Sequence, residues 1–193
     1  MIRLLIHFGL AIPAVILTFG WRFNRLGVDP EKTLIWETGI WALNFLVVTL
    51  LIPVAARWAH WSDLRKYRRA IGLWAFSYAS AHFGFFVIFL LGWDVIRLGK
   101  ELSERPYILF GFGAWIILAS MAVTSNQFAI KLLRKKWAVL HKWIYVAVFL
   151  AVIHYILMIR SNFAWPATYT IIAIVLIILR WKRSRAKKKL KVN

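Results

Sequence analysis

Six long apolar segments are the feature of this 193-residue chain that most restricts its fold. Each approaches the roughly 20 residues that a helix needs to cross the ~30 Å hydrocarbon core of a bilayer. A backbone inside lipid must satisfy its own hydrogen bonds, so such segments form helices. The segments are Leu4–Trp21, Ile40–Ala56, Ala70–Gly92, Pro106–Thr124, Trp137–Met158 and Trp165–Trp181. We therefore predict an all-α integral membrane protein, with a six-helix transmembrane bundle in residues 1–181 and a basic tail in residues 182–193.

The distribution of basic residues predicts how the bundle is oriented. Lys and Arg concentrate in residues 57–69, 131–142 and 180–191, whereas six of the seven acidic residues lie in the intervening loops. Loops rich in Lys and Arg stay in the cytoplasm. Both termini are therefore predicted to be cytoplasmic, and the basic tail is predicted to rest on anionic membrane lipid. The formal net charge of +19 reflects this topology and not a nucleic-acid-binding surface.

The absence of cysteine limits the cofactors that the chain can hold. Disulfides, thiolate-bound iron–sulfur clusters and covalently attached c-type haem all require cysteine. Any haem or metal must therefore be bound by His, Met or oxygen ligands.

Four of the five histidines lie within predicted spans, where ionisable groups are costly and usually functional, and three of them, His82, His141 and His154, are the stronger candidates. His82 and His154 are predicted at similar depth in two different spans, and His141 lies about 19.5 Å from His154 along an ideal helix. That separation is enough for two stacked macrocycles. The two side chains would point about 140° apart, so either the helix is distorted or two cofactors approach it from different sides. This arrangement favours haem iron ligated by His82, His141 and His154 over hydrogen bonding between helices.

Two further residues are weaker candidates for the site. Arg68 lies fourteen residues before His82 and points within about 40° of it on an ideal helix. It is either a partner for a haem propionate or a residue that fixes topology. His7, near the inner end of the first span, is either a satisfied polar residue or part of an inner quinol or haem site.

Four runs of sequence carry a resemblance to a known family. They are RLGVDPEKTL after the first span, RRAIGLWAF leading to His82, RLGKELSERPY before the fourth span and WAVLHKWIYVAVFLAVIH in the fifth. In this order they are similar to the haem-binding membrane subunits of periplasmic methionine sulfoxide reductase systems, within the wider ferric-reductase-like transmembrane family. The resemblance implies that His82, His141 and His154 are haem ligands. The wider family usually has two histidines in the third span, whereas this chain has His82 and Arg68, which leaves the second haem and its second ligand open.

The same resemblance implies a function. The chain would be a multi-pass protein of the bacterial inner membrane that binds one or two haem b groups. It would pass electrons from the quinol pool or a flavin donor to a periplasmic molybdenum-containing methionine sulfoxide reductase, which repairs oxidised proteins. The catalytic subunit would then be a separate chain, and this one an electron-transfer subunit. Binding of FMN is implied by the resemblance alone, because the sequence carries no flavin fingerprint.

Other functions fit parts of the sequence. A stand-alone transmembrane ferric reductase would use the same haem path. A small transporter usually needs a carboxylate at membrane depth, whereas the acidic residues here lie in loops or at predicted span edges, and no internal repeat is evident. A structural anchor would explain the tail but not the depth of the histidines. We further predict that the acidic outer loops, 27–39 and 96–106, dock the periplasmic reductase.

Overall fold

A computed structural model describes residues 2–189, and every regular element in that range is helical. In chain order the helices are α1 (Ile2–Arg22), α2 (Pro30–Trp58), α3 (Arg68–Phe85), α4 (Val95–Glu104), α5 (Pro106–Val123), α6 (Gln127–Leu133), α7 (Lys135–Leu140), α8 (Ile144–Met158) and α9 (Ala164–Lys189). A 3₁₀-helical segment, Ser62–Tyr67, leads into α3, and a π-helical turn, Phe86–Leu90, extends it. The prediction of an all-α membrane protein is confirmed.

Five helical segments in the described range are long and apolar enough to cross a membrane, and they correspond to the first five predicted spans. The sixth predicted span falls in α9, whose apolar part, Ala164–Arg180, is shorter. Residues 190–193 of the predicted tail lie outside the described residues. The structure therefore shows a helical architecture with five candidate membrane spans, and the sixth span and the orientation stay predictions.

Helix α2 begins at Pro30, ten residues before the span predicted from Ile40. Proline suits the first turn of a helix because its missing N–H would have no partner there. Asp29 caps this turn, since its carboxylate accepts a hydrogen bond from the Lys32 N–H at 3.2 Å. A second hydrogen bond, from the Lys32 side-chain ammonium, is the main reason that the pKa of the Asp29 carboxyl lies below its usual value. The earlier start places Glu31 and Glu37 on the helix, where the sequence had indicated a loop.

The fifth predicted span, Trp137–Met158, is not one continuous helix. Helix α7 ends at Leu140, α8 begins at Ile144, and the three residues between them form turns. The interruption therefore falls at His141. A local distortion is one of the two explanations that the angular offset between His141 and His154 allowed.

Two pairs of helices form the centre of the protein, because α2 packs along α3 and α5 packs along α8. Ala75 on α3 and Ala147 on α8 are both 0% exposed. Small residues at such positions let membrane helices approach closely. Many large apolar side chains point outwards instead, among them Phe19, Phe149 and Ile171, as expected where the surrounding medium is lipid.

Helix α1 is joined to this centre by a polar contact. The Tyr78 hydroxyl accepts a hydrogen bond from the Ala14 N–H at 2.8 Å and donates one to the Leu10 carbonyl at 3.0 Å. These two groups are separated by one helical turn beside Pro13, which lies inside α1. Tyr78 thus satisfies backbone groups that lipid cannot satisfy.

The two ends of the bundle differ in charge. The acidic end is the end where α2 and α5 begin, and it carries Asp29, Glu31, Glu37, Asp94, Glu101 and Glu104. The basic end is the end where α2 and α5 finish, and it carries the basic segments 57–69 and 131–142.

Candidate functional site

A cavity of about 340 Å³ lies between α2, α3, α5 and α8. Its wall is almost entirely apolar, and its volume falls in the range of ligand pockets, roughly 300–1,000 Å³. Two of the residues that line it are His82 on α3 and His154 on α8. Their ring centroids are 6.0 Å apart, and the ring planes are inclined at 80°. The structure thus brings together two of the three histidines that the sequence predicts as ligands.

Each of these imidazoles is held by a backbone carbonyl of the neighbouring helix. His82 Nδ1 lies 2.7 Å from the Ile35 carbonyl oxygen on α2, and His154 Nδ1 lies 2.6 Å from the Tyr107 carbonyl oxygen on α5. A carbonyl oxygen only accepts hydrogen bonds, so Nδ1 carries the proton in both rings. In the neutral imidazole this leaves the Nε2 lone pair free, and no hydrogen bond joins either Nε2 to another described residue. A neutral imidazole fixed in this way is ready to bind a metal through Nε2.

Each imidazole also lies against a glycine. A Cβ atom added to Gly39 would be 2.9 Å from His82 Nδ1, and one added to Gly111 would be 2.8 Å from His154 Nδ1. Both distances are shorter than real Cβ contacts, so each ring occupies space that only glycine leaves open.

The cavity is built from two equivalent halves, one formed by α2 and α3 and the other by α5 and α8. Equivalent positions are 72 residues apart: 35 and 107, 39 and 111, 82 and 154. The hydrogen bond from imidazole to carbonyl spans 47 residues in both halves. Every residue lining the cavity has such a counterpart in the lining except Lys32 and Leu90. The expectation that the chain has no internal repeat is therefore wrong.

The repeat escapes notice in the sequence because few residues are shared. Identical pairs occur only at positions that line the cavity or are fully buried: Gly39 and Gly111, Ala42 and Ala114, Leu46 and Leu118, Ala75 and Ala147, Ala79 and Ala151, His82 and His154. Other apolar positions have diverged, since lipid accepts any apolar side chain. The signal that would have revealed the repeat is the recurring separation of 43 residues between glycine and histidine.

His141, the third predicted ligand, lies at the basic end and does not line the cavity. Its Nε2 is 3.3 Å from the Thr124 hydroxyl, and its ring stacks on Trp137 with centroids 4.0 Å apart. Its counterpart in the repeat is Arg69, and no ring contact joins it to another histidine within residues 2–189. The structure therefore gives His141 local partners and separates it from His82 and His154.

The two weaker candidates also lie outside the cavity. Arg68 begins α3 at the basic end, and its role beside a propionate stays a prediction. Near this end, Arg180 lies over the Tyr145 ring at 5.4 Å, and the buried Tyr145 hydroxyl has no hydrogen-bond partner among the described residues. His7 Nδ1 accepts a hydrogen bond of 2.9 Å from the Trp74 indole N–H.

Lys32 was not predicted from the sequence as a site residue. Apart from the histidines, it is the one basic side chain among the described residues that line the cavity, and it lies at the acidic end beside Asp29. Lys32 lies on a helix only because α2 begins at Pro30 and not at the predicted Ile40. On that helix Lys32, Ile35 and Gly39 share the face that lines the cavity.

Comparison with known proteins agrees with this architecture. Residues 38–152 match the family described as the ferric reductase like transmembrane component. The fold and the cavity are therefore those of a membrane protein of this class. Two relatives are named protein-methionine-sulfoxide reductase heme-binding subunit MsrQ, one from Yersinia pseudotuberculosis serotype O:1b (strain IP 31758) and one from Yersinia pestis (strain Pestoides F). Each is 34% identical over 182 residues, which are 94% of this chain and 90% and 88% of the respective relative.

The chain therefore belongs to the MsrQ family. No solved structure matches the chain.

Proposed function

We propose that this chain is a haem-binding electron-transfer subunit of the membrane and that His82 and His154 are the axial ligands of one b-type haem. The observation that carries the proposal is the matched pair of imidazoles, one from each half of the repeat. Each is fixed by a carbonyl on Nδ1 and leaves Nε2 free. The relatives' names specify haem binding, and the chain has no cysteine for covalent attachment.

The residues present fit a haem in two respects. Bonds of about 2 Å from a metal to an imidazole nitrogen on each side would separate two ring centroids by about 6 Å, and the observed separation is 6.0 Å. The apolar wall suits a macrocycle and excludes water. Haem, when bound, supplies one-electron redox chemistry, and the protein tunes it through ligand identity, hydrogen bonding and burial.

Absorption spectroscopy with haem quantification tests this proposal. Purified wild-type protein should give a low-spin b-type spectrum in the reduced-minus-oxidised difference. His82→Ala and His154→Ala should each lower bound haem at least tenfold. His60→Asn is the matched control, because His60 lies outside the cavity and asparagine tolerates its positive φ of 51°. Full haem in both alanine variants, or none in the wild type after expression with a haem precursor, would contradict the proposal.

We limit the proposal to one haem, because the described residues supply one complete ligand pair. A second haem ligated by His141, with Arg68 beside a propionate, stays a prediction from the sequence. FMN also stays an expectation from the resemblance, since the relatives' names mention haem and no flavin.

The proposed topology has six spans with both termini in the cytoplasm of a bacterial inner membrane. The acidic end, and with it Lys32, would then face the periplasm. The chain has no cysteine, so single cysteines report topology without a background. A membrane-impermeant maleimide applied to intact spheroplasts should label Ser103→Cys, on α4, and leave Ser62→Cys unlabelled. Labelling of Ser62→Cys and not of Ser103→Cys would show that the orientation is the reverse of the one proposed.

The proposed electron donor is the quinol pool, or a flavin donor, acting at the basic end. His7 is the candidate residue there, because Trp74 holds its Nδ1 as an acceptor. His7→Ala should slow haem reduction by a quinol analogue and leave reduction by dithionite unchanged, and Trp74→Phe should produce a smaller effect in the same direction. If His7→Ala slowed haem reduction by both reductants equally, His7 would not be part of a quinol site.

The proposed acceptor is a separate periplasmic molybdenum-containing methionine sulfoxide reductase that docks at the acidic end. Glu101 is a poor probe of docking, because its side chain is 15% exposed and lies 2.9 Å from the Arg105 side chain. Glu104 is 58% exposed, so Glu104→Lys should slow electron delivery to the reductase without altering the haem spectrum. Unchanged delivery at low ionic strength would argue against docking through Glu104.

A stand-alone ferric reductase is the second candidate, because the matching family is described by that activity. Rapid reoxidation of the reduced protein by a ferric chelate, with no reductase subunit present, would favour it over the subunit role.

A further inference from the structure

We propose that Gly39 and Gly111 are the positioning residues of the haem site, because their missing side chains let His82 and His154 reach the carbonyls that orient them. This inference rests on the proposed function, since it concerns the two proposed ligands. It assigns a role to residues that bind nothing themselves.

The geometry of the α-helix explains why glycine is needed at these positions. Side chains in a helix tilt towards its N-terminus, so the side chain of residue i+4 covers the backbone carbonyl of residue i. The orienting carbonyls belong to Ile35 and Tyr107, and the residues four positions further on are Gly39 and Gly111. A ring from a neighbouring helix can therefore reach the carbonyl only if position i+4 lacks a side chain.

The measured distances agree with this explanation in both halves. A Cβ at Gly39 would lie 2.9 Å from His82 Nδ1 and 3.1 Å from its Cε1. A Cβ at Gly111 would lie 2.8 Å and 2.9 Å from the same atoms of His154. Neither ring can move aside freely, because each is bound through Nδ1 to the carbonyl behind the glycine.

The same arrangement of glycine, carbonyl and imidazole occurs in both halves, which argues against a chance placement of the two glycines. Glycine, carbonyl and imidazole recur at positions 72 residues apart, although most other positions of the two halves differ. A glycine needed only for close packing between helices would not have to lie four residues after the carbonyl that holds the ring.

The orienting bond matters for ligation in two ways. It keeps the proton on Nδ1, so that Nε2 remains a ligand, and it fixes the rotation of each ring about its own axis. Hydrogen bonds of this kind also raise the basicity of the ligand, and losing one typically lowers metal affinity 10- to 100-fold.

Four alanine variants test the inference. Gly39→Ala and Gly111→Ala should each weaken haem affinity about 10- to 100-fold and shift the low-spin EPR g-values, which report the angle between the imidazole planes. Gly72→Ala and Gly113→Ala are the controls, because an added Cβ there meets its nearest neighbour at 3.7 Å and 3.5 Å respectively, an ordinary contact. Haem affinity and g-values in Gly39→Ala and Gly111→Ala that match these controls would overturn the inference.

A measurement on haem-free protein separates this inference from the proposed function and from misfolding. Side-chain ¹⁵N spectra of histidine-labelled protein should show His82 and His154 as Nδ1–H tautomers. Gly39→Ala should perturb only the His82 signal, and Gly111→Ala only the His154 signal, while thermal unfolding stays cooperative. These site-specific changes would support positioning even if the wild type bound no haem. Unperturbed histidine signals in both variants would overturn it even if haem binding by His82 and His154 were established.

Discussion

Predicted haem ligands lie in two regions of the bundle, the cavity and the basic end, and the contacts around their rings differ between the two. In the cavity, His82 and His154 lie in equivalent positions on α3 and α8, and each is oriented by a carbonyl and accommodated by a glycine. At the basic end, His141 lies in the break between α7 and α8 and contacts Thr124 and Trp137.

The difference gives a criterion for ranking the three predicted ligands, based on the geometry around each ring. All three residues lie within predicted spans, so membership of a span does not separate them. What separates them is the use of the two ring nitrogens. His82 and His154 engage Nδ1 and leave Nε2 open towards a cavity, whereas Nε2 of His141 lies within 3.3 Å of a hydroxyl.

The largest expected effect is a contrast in haem content between these ends. His82→Ala should lower bound haem at least tenfold, whereas His141→Ala should lower it less than twofold, because the ligand pair in the cavity remains. Pyridine haemochrome assays per mole of chain measure both. A wild-type content of two haems that falls to one in His141→Ala would instead establish a second haem at the basic end. His141 would then be a ligand like His82 and His154.

A smaller effect is expected from the charge at the mouth of the cavity. Lys32→Gln removes a positive charge that favours the reduced haem, so the midpoint potential should fall by about 30 mV, a roughly threefold change in the equilibrium constant for one electron. Its partner Asp29 reduces the effect. Lys100→Gln is the control, since Lys100 also pairs with an acid, Glu104 at 3.8 Å, but does not line the cavity. Spectroelectrochemical titration would contradict the placement of Lys32 if both variants shifted equally.

The smallest effect is expected at His141 itself. Thr124→Val removes its hydroxyl partner, and hydrogen bonds between membrane helices average about 0.6 kcal/mol. The apparent Tm should fall by about 1–2 °C with no change in the haem spectrum. Thr168→Val is the control, since the Thr168 hydroxyl bonds only to the Ala164 carbonyl of its own helix. A haem spectrum altered by Thr124→Val and not by Thr168→Val would tie His141 to a cofactor.

The sequence was sufficient for the class of fold. It also singled out His82 and His154, which the structure places together at the cavity, and their role as ligands stays a proposal. Span length, charge asymmetry and the cost of burying an imidazole are local properties that composition reveals. Pro30 and Pro106 also mark helix starts correctly. The predicted start of the second span, Ile40, is later than the start of α2, because Glu31 and Glu37 interrupt the apolar run.

The site itself depends on relations between distant residues, which composition does not show. The equivalence of Gly39 and Gly111 becomes visible only when the two helix pairs are compared. The break at His141 is encoded by no proline or glycine, so an uninterrupted helix was the natural expectation. Lys32 is not identified from the sequence because it lies before the apolar run that begins at Ile40, in a stretch predicted as a loop.

The repeat has a consequence for how the protein is assembled. Each half alone is a hairpin that contributes one imidazole to the cavity. Among the described residues, the side-chain hydrogen bond that joins one pair of helices to the other runs from the Trp115 indole N–H to the Ser80 hydroxyl, at 3.1 Å. A group bound by both rings would add a cross-link between two hairpins that already share an apolar core. Its binding energy would then be added to the stability of the whole bundle, in proportion to its occupancy. Cofactor supply during biogenesis would thereby decide how much of this membrane protein survives quality control.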